Sequence, residues 1–319
     1  MNEVLVEIGE LGLVPVIKIE RAQDAAPLGQ ALLEAELPMA EITFRTAQAE
    51  EAIKTLARNY PQMLVGAGTV LRVDQVQAAI GAGAKFIVAP GFNPKVVDYC
   101  LAQGIAVLPG VNSPTGLEMA LEKGLETVKF FPAEASGGLA FLKSMAGPFS
   151  GINFVPLGGI NPGNMAAYLA YERVHAVGGT WIAKAELIRS GDFAEITRRA
   201  REALSILHGF ELARLKLNAD TEDQARSAAE ILANLFLLPF KQGPEAFLAG
   251  TCFEVAKKQG AGPKGRIAIA TNSLKRALAF LKRKGIQVIP GTARQEKGQL
   301  KSVSLDQEVA GFALELVQK

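Results

Sequence analysis

From residue 14 to about 206, short β-rich runs alternate with amphipathic helical runs. The strand-like runs are VPVIKI (14–19), MAEITFR (39–45), LVGAGTV (64–70), FIVAPG (86–91), AVLPGV (106–111), TVKFFPA (127–133), NFVPLGGI (153–160) and VHAVGGTWI (174–182). Stretches such as DAAPLGQALLEAE, AEEAIKTLARNY and RVDQVQAAIGAGA lie between them. A last helix near 185–206 is expected to break at SGD. Eight strands and eight helices in about 200 residues predict an α/β fold, a (β/α)8 TIM barrel. A doubly wound open sheet is the competing layout. Many strands finish in Gly, Pro or Thr (GAGT, APGF, LPGV, FFPAE, PLGGI, VGGT), and in a barrel those ends share the face that carries the active site. The GAG of VGAGTV lacks GxGxxG spacing, which argues against a dinucleotide fingerprint.

After residue 207 the pattern changes. ELARLKLNA is followed by helical TEDQARSAAEILANLF and strands around AFLAG and TCFEVAKK. GRIAIAT is followed by helical NSLKRALAFLKRKG, then IQVIP, a Gly- and Lys-bearing hairpin region and VAGFALELVQ. This is an internal repeat of about fifty residues, with GPKG joining the halves. It predicts a C-terminal α+β domain of two βαβββ units. The boundary falls near His208-Gly209, giving domains 1–207 and 208–319.

The chain is 49% apolar and 21% charged with a net charge of +2, so nothing asks for nucleic acid or an anionic membrane. No apolar run approaches the ~20 residues of a bilayer span. The N-terminus carries acids and lacks a basic region, unlike a secretory signal. Cys100 and Cys252 are distant in sequence, which suits a reducing cytoplasm. His175 and His208 make no ligand cluster, so no metal or other cofactor is expected.

Lys129 stands inside an apolar strand, where an ammonium group is expensive to bury. Alternation puts Thr127, Lys129 and Phe131 on one face. Two readings stand side by side: a lysine snorkelling at a strand end, or a desolvated amine able to attack a ketone and form a Schiff base. Strand AEITFR places Glu41, Thr43 and Arg45 on one face. Glu41 and Arg45 either pair with each other, or Glu41 moves a proton while the planar fork of Arg45 holds a substrate carboxylate. LGGI and VGGT end the last two strands. Gly158, Gly159, Gly178 and Gly179 would let backbone N–H groups approach a phosphate, with the Thr180 hydroxyl beside them; the plainer reading is a pair of tight turns. Lys18 would either add charge there or be solvated.

The stretches VPVI, EITFRT, VGAGTV, APGF, LPGV, VKFFPAE, AGPF, PLGGI and VGGTW together resemble the 2-keto-3-deoxy-6-phosphogluconate (KDPG) aldolase family, across nearly the whole of residues 14–206. The resemblance implies a metal-independent class I aldolase, a homotrimer of (β/α)8 barrels acting on a phosphorylated keto acid. It implies that Lys129 is the Schiff-base lysine and Glu41 the general acid/base. Arg45 and Thr69 would hold the pyruvyl portion, Pro90 and Phe131 line the pocket, and Gly159, Gly179 and Thr180 take the phosphate, with Gly158 beside them. Thr180 stands where the family often has Ser. Leu157 replaces the Thr of the usual TGG, which bears on substrate preference. The family overlaps with 4-hydroxy-2-oxoglutarate aldolase and with phosphogalactonate aldolase. A reading from another class is a non-catalytic phosphosugar-binding protein with a sensing module, against which the retention of Lys129, Glu41 and Arg45 argues.

Residues 209–319 resemble in pattern the glyoxalase-like, or vicinal oxygen chelate, superfamily. Its metal-dependent members carry His or Glu on the first and last strands of each unit. Here the last strands offer Glu254 and Glu315, but the first offer Arg214 and Arg266, which cannot serve as ordinary ligands. Two arginines facing two carboxylates predict either ion pairs or a pocket for an anionic metabolite.

Overall fold

The computed structural model describes residues 2–319, which divide into two compact units, 2–207 and 208–319. Among the described residues no helix is long and apolar enough to cross a membrane.

The first unit is built on parallel strands: β1 (Leu13–Ile17), β2 (Met39–Thr43), β3 (Leu64–Gly68), β4 (Phe86–Val88), β5 (Ala106–Leu108), β6 (Gly110–Val111), β7 (Thr127–Phe130), β8 (Asn153–Pro156) and β9 (Val177–Gly179). One sheet runs β5-β4-β3-β2-β1-β9 and another β6-β7-β8. β5 and β6 are two halves of one extended run, parted at Pro109. The first half pairs with β4 and the second with β7. Parallel bridges Phe154↔Val174 and Leu157↔Gly178 tie β8 to the chain around β9. The result is a curled parallel sheet. Strands β1, β2 and β3 are buried at every position, the signature of a parallel sheet covered on both faces.

Helix ends carry their own signals. Asn93 and Ser113 cap helices Pro94–Ala102 and Pro114–Glu122, each with Pro at the first position, where its missing N–H costs nothing. The break expected at SGD is present: Gly191, at φ 75°, ends helix Ala185–Ser190 before helix Phe193–His208 begins. Helix Glu3–Leu11, capped by Asn2 and closed by Gly12, was not among the elements expected from the sequence.

The second unit is one mixed sheet of β10 (Glu211–Asn218), β11 (Phe240–Gln242), β12 (Ala246–Ala249), β13 (Phe253–Ala256), β14 (Gly265–Thr271), β15 (Arg294–Glu296), β16 (Gln299–Val309) and β17 (Phe312–Gln318). The order is β11-β12-β13-β10-β14-β17-β16-β15. In each repeat the first strand pairs in parallel with the last, β10 with β13 and β14 with β17. The two first strands meet antiparallel at the centre. IQVIP departs from the strand expected there: it contributes a single bridge, Val288↔Leu305, and the pairing falls to β15 and β16. Each repeat has its own core. Helix Glu222–Leu235 packs Ala225 and Ala229 against Phe247 and Val255, while helix Leu274–Arg283 packs Leu274 and Ala277 against Val303 and Leu316.

Candidate active site

Most of the residues singled out in the first unit lie toward or just past the carboxyl end of a strand. Glu41 is on β2 and Arg45 two residues beyond it; Thr69 follows β3 and Pro90 follows β4. Lys129 is on β7 with Phe131 after it, Gly158 and Gly159 follow β8, and Gly179 closes β9 with Thr180 next. In parallel α/β sheets that edge is where ligands bind.

Lys129 is 5% exposed and its Nζ lies 4.6 Å from the centroid of the Phe131 ring. Burial pulls its amine below the ordinary lysine range; Glu41 opposes that shift and Arg45 adds to it. Glu41 is 1% exposed, and neither carboxylate oxygen has a hydrogen-bond partner among the described residues. Burial raises this carboxyl above the usual range, against the pull of Lys129 and Arg45. The mutual influence of the three groups places them in one electrostatic cluster. Glu41 and Arg45 do not hydrogen-bond to each other, so the pairing considered from their spacing does not form. β2 ends at Thr43, and Arg45 instead donates from Nε to Thr43 Oγ1 at 3.2 Å. Thr43 Oγ1 in turn donates to the Ile17 carbonyl at 2.8 Å, which anchors this corner to β1. A buried acid left without a partner, beside a desolvated amine, is the arrangement expected of acid–base chemistry rather than of stability.

Glycines make the room. A side chain at Gly68 would collide with the Glu41 carboxylate, and one at Gly66 with the Phe86 ring. The VGAG run is therefore a close-packing device inside β3, and Gly68 is a site residue that sequence reasoning missed. Its signal was a glycine inside a strand with no turn to explain it. Thr69 follows at φ 56°, a strained conformation for a β-branched residue. Gly110, which pairs with Lys129, lies where a side chain would strike the Pro90 carbonyl.

The two Gly-Gly pairs differ. Gly158 and Gly159 have φ of 92° and 88° and form a left-handed turn. Gly178 and Gly179 lie within β9, so they do not form a second turn; there a side chain would meet the Val14 carbonyl and the Trp181 ring, respectively. The Leu157↔Gly178 bridge sets the turn beside Gly179 and Thr180. Gly158 faces Phe131, and Gly159 faces Glu134, whose carboxylate accepts from the Tyr168 hydroxyl. That brace was also missed, because Tyr168 and Glu134 meet only across the fold. Lys18 is paired with Glu20 at 2.7 Å.

Residues 5–199 match the family model for KDPG and KHG aldolase. The chain belongs to that family. Among its relatives, the 2-dehydro-3-deoxy-phosphogluconate aldolase of Treponema pallidum is 46% identical over 195 residues, covering 61% of this chain and 93% of that protein. The KHG/KDPG aldolase of Escherichia coli is 39% identical over 192 residues, covering 60% and 90%. The KDPG aldolase of Legionella pneumophila, solved with pyruvate captured as a covalent carbinolamine intermediate, aligns with a TM-score of 0.60 at 35% identity, over 62% of this chain and 96% of that one. The corresponding aldolase of Zymomonas mobilis, solved with 3-phosphoglycerate, gives a TM-score of 0.59 at 39% identity, over 64% and 96%. The family match ends at residue 199, before the second unit begins.

In the second unit the expected ion pairs form. Arg214 meets Glu254 at 3.2 Å and Arg266 meets Glu315 at 3.2 Å. Lys216 joins Glu254 at 2.6 Å.

Proposed function

We propose that this member of the aldolase family cleaves 2-keto-3-deoxy-6-phosphogluconate to pyruvate and glyceraldehyde 3-phosphate through a Schiff base on Lys129. The observation that carries the reading is the buried Lys129 amine grouped with a buried Glu41 carboxyl that has no partner. Desolvation keeps a fraction of the amine neutral and nucleophilic. Lys129 attacks the C2 ketone, water leaves, and the iminium becomes the electron sink. Glu41 takes the C4 hydroxyl proton, directly or through a water, as the C3–C4 bond breaks. Glyceraldehyde 3-phosphate departs, and protonation and hydrolysis of the enamine release pyruvate. Arg45 and Thr69 hold the pyruvyl carboxylate, Pro90 and Phe131 wall the pocket, and the Gly158–Gly159 turn with Gly179 and Thr180 receives the phosphate. The names of relatives that join both activities support a further cleavage of 4-hydroxy-2-oxoglutarate.

We read the curled sheet as a closed (β/α)8 barrel, since β5 and β6 carry one extended run across Pro109 and the Leu157↔Gly178 bridge joins its other edges. We read the second unit as a glyoxalase-like domain, on the strength of its two βαβββ repeats and their symmetric strand order. A homotrimer working in the cytoplasm completes the proposal.

The test is borohydride trapping with pyruvate, followed by peptide mass spectrometry, beside a cleavage assay on KDPG with and without EDTA. A pyruvyl adduct on Lys129 with EDTA-insensitive turnover is expected. A folded sample with neither adduct nor cleavage would sink the reading.

A further inference from the structure

The second unit carries an open cavity of about 380 Å³ over its central strands. That volume lies within the range of small-molecule sites. Its floor is built from the repeat-related pairs Arg214–Glu254 and Arg266–Glu315. One residue breaks the symmetry. Arg214 on β10 corresponds to Arg266 on β14, so Lys216 corresponds to Ala268, and Lys216 adds a second cation to Glu254. Three cations thus share two carboxylates. The Arg266 Nε is buried and has no acceptor among the described residues. A self-sufficient ion-pair core would balance its charges and satisfy its donors, because a buried unpaired donor is costly. This floor does neither. On the wall, Lys301 has no ion-pair partner among the described residues, and Ser302 is buried.

The imbalance calls for one negative charge. The four glutamates of the lining oppose a dianion, whereas Glu254 and Glu315, with lone pairs left over, are ready acceptors for hydroxyl groups. We propose that this cavity binds a small hydroxylated carboxylic acid of the sugar-acid class. Its carboxylate lies against Arg266 and Lys216, and its hydroxyls donate to Glu254 and Glu315. The site is a second ligand site, in the unit beyond the aldolase match, and does not rest on the reaction assigned to Lys129.

Calorimetric titration of the full chain tests it, with D-gluconate as probe and inorganic phosphate and glycine as comparators. Gluconate is expected to bind saturably and at least about tenfold more tightly than either comparator. Arg266→Met and Lys216→Met are each expected to weaken gluconate by about tenfold or more, the loss of one charge-assisted hydrogen bond. Lys216→Met removes only the partly exposed cation and serves as the second reading should Arg266→Met fail to fold. Arg45→Met, in the other unit, is expected to leave gluconate binding unchanged. No saturable gluconate binding overturns the proposal. So does binding lost in Arg45→Met but kept in Lys216→Met, or phosphate or glycine equalling gluconate.

Discussion

Lys129 and Glu41 are each held against their preferred charge, and that conflict is measurable. Burial favours the neutral amine and the neutral acid, so the folded state loses stability to keep them. The linkage has a definite sign. The lysine penalty is full below its depressed folded pKa and fades as pH rises toward the ordinary 10.5. The Glu41 contribution is full below about 4.5 and is lost as pH rises through its elevated value. Lys129→Met should therefore abolish the pyruvate adduct and turnover while raising the thermal midpoint at pH 7; an inactive but less stable variant would contradict the account. Glu41→Gln should leave pyruvate trapping largely intact and lower kcat for KDPG by about 10²–10⁴-fold, the usual worth of a positioned acid–base group. Gly68→Ala has no room beside the Glu41 carboxylate. It should cost about 1–3 kcal/mol in denaturant unfolding, as overpacking does, and lower kcat as well.

His208 closes helix Phe193–His208 and is 2% exposed. Its ring stacks on Phe210 at 5.0 Å and lies 4.6 Å from Phe280, and neither ring nitrogen has a hydrogen bond among the described residues. Burial, helped by Arg283 and Arg276, lowers it from 6.5 to about 4. A base depressed on folding contributes stability above its unfolded pKa, and that stability is lost as pH falls through the folded value. The window runs from about pH 6.5 down to 4. At 1.36 kcal/mol per unit the loss is about 3 kcal/mol. Thermal melts between pH 7.5 and 4 should show the second unit weakening across that window. His208→Phe should flatten the dependence; an equally steep one would assign it to other groups.

Among the described residues there is one large apolar cluster in the first unit and two small ones in the second. Small cores offer less buried area to offset chain entropy. Two calorimetric transitions are expected, the second unit melting first. Pyruvate should raise only the upper transition, because a ligand stabilises the unit that binds it. A single transition shifted as a whole by pyruvate would show that the two units unfold as one.

The alternation of strands and helices was legible in the sequence because buried parallel strands are short apolar runs and their helices show one apolar face. The C-terminal repeat was legible for the same reason, and the break before helix Phe193–His208 because Gly191 tolerates a left-handed turn. Helix Glu3–Leu11 announced itself only by Asn2 and Gly12, too little to stand out. Spacing put Glu41 and Arg45 on one face but could not tell whether they pair. That was decided by where β2 ends and by Thr43, which takes the arginine. Spacing also made the two Gly-Gly pairs alike, although one is a left-handed turn and the other a strand under a tryptophan ring. The sequence by itself determined most of the strands and helices, though not helix Glu3–Leu11 or the fate of IQVIP, and where the reactive side chains stand along them, since those follow from local periodicity and backbone chemistry. Only the tertiary structure decided which of those side chains are stripped of water and left without partners, because desolvation and pairing depend on neighbours that strands distant in sequence bring together.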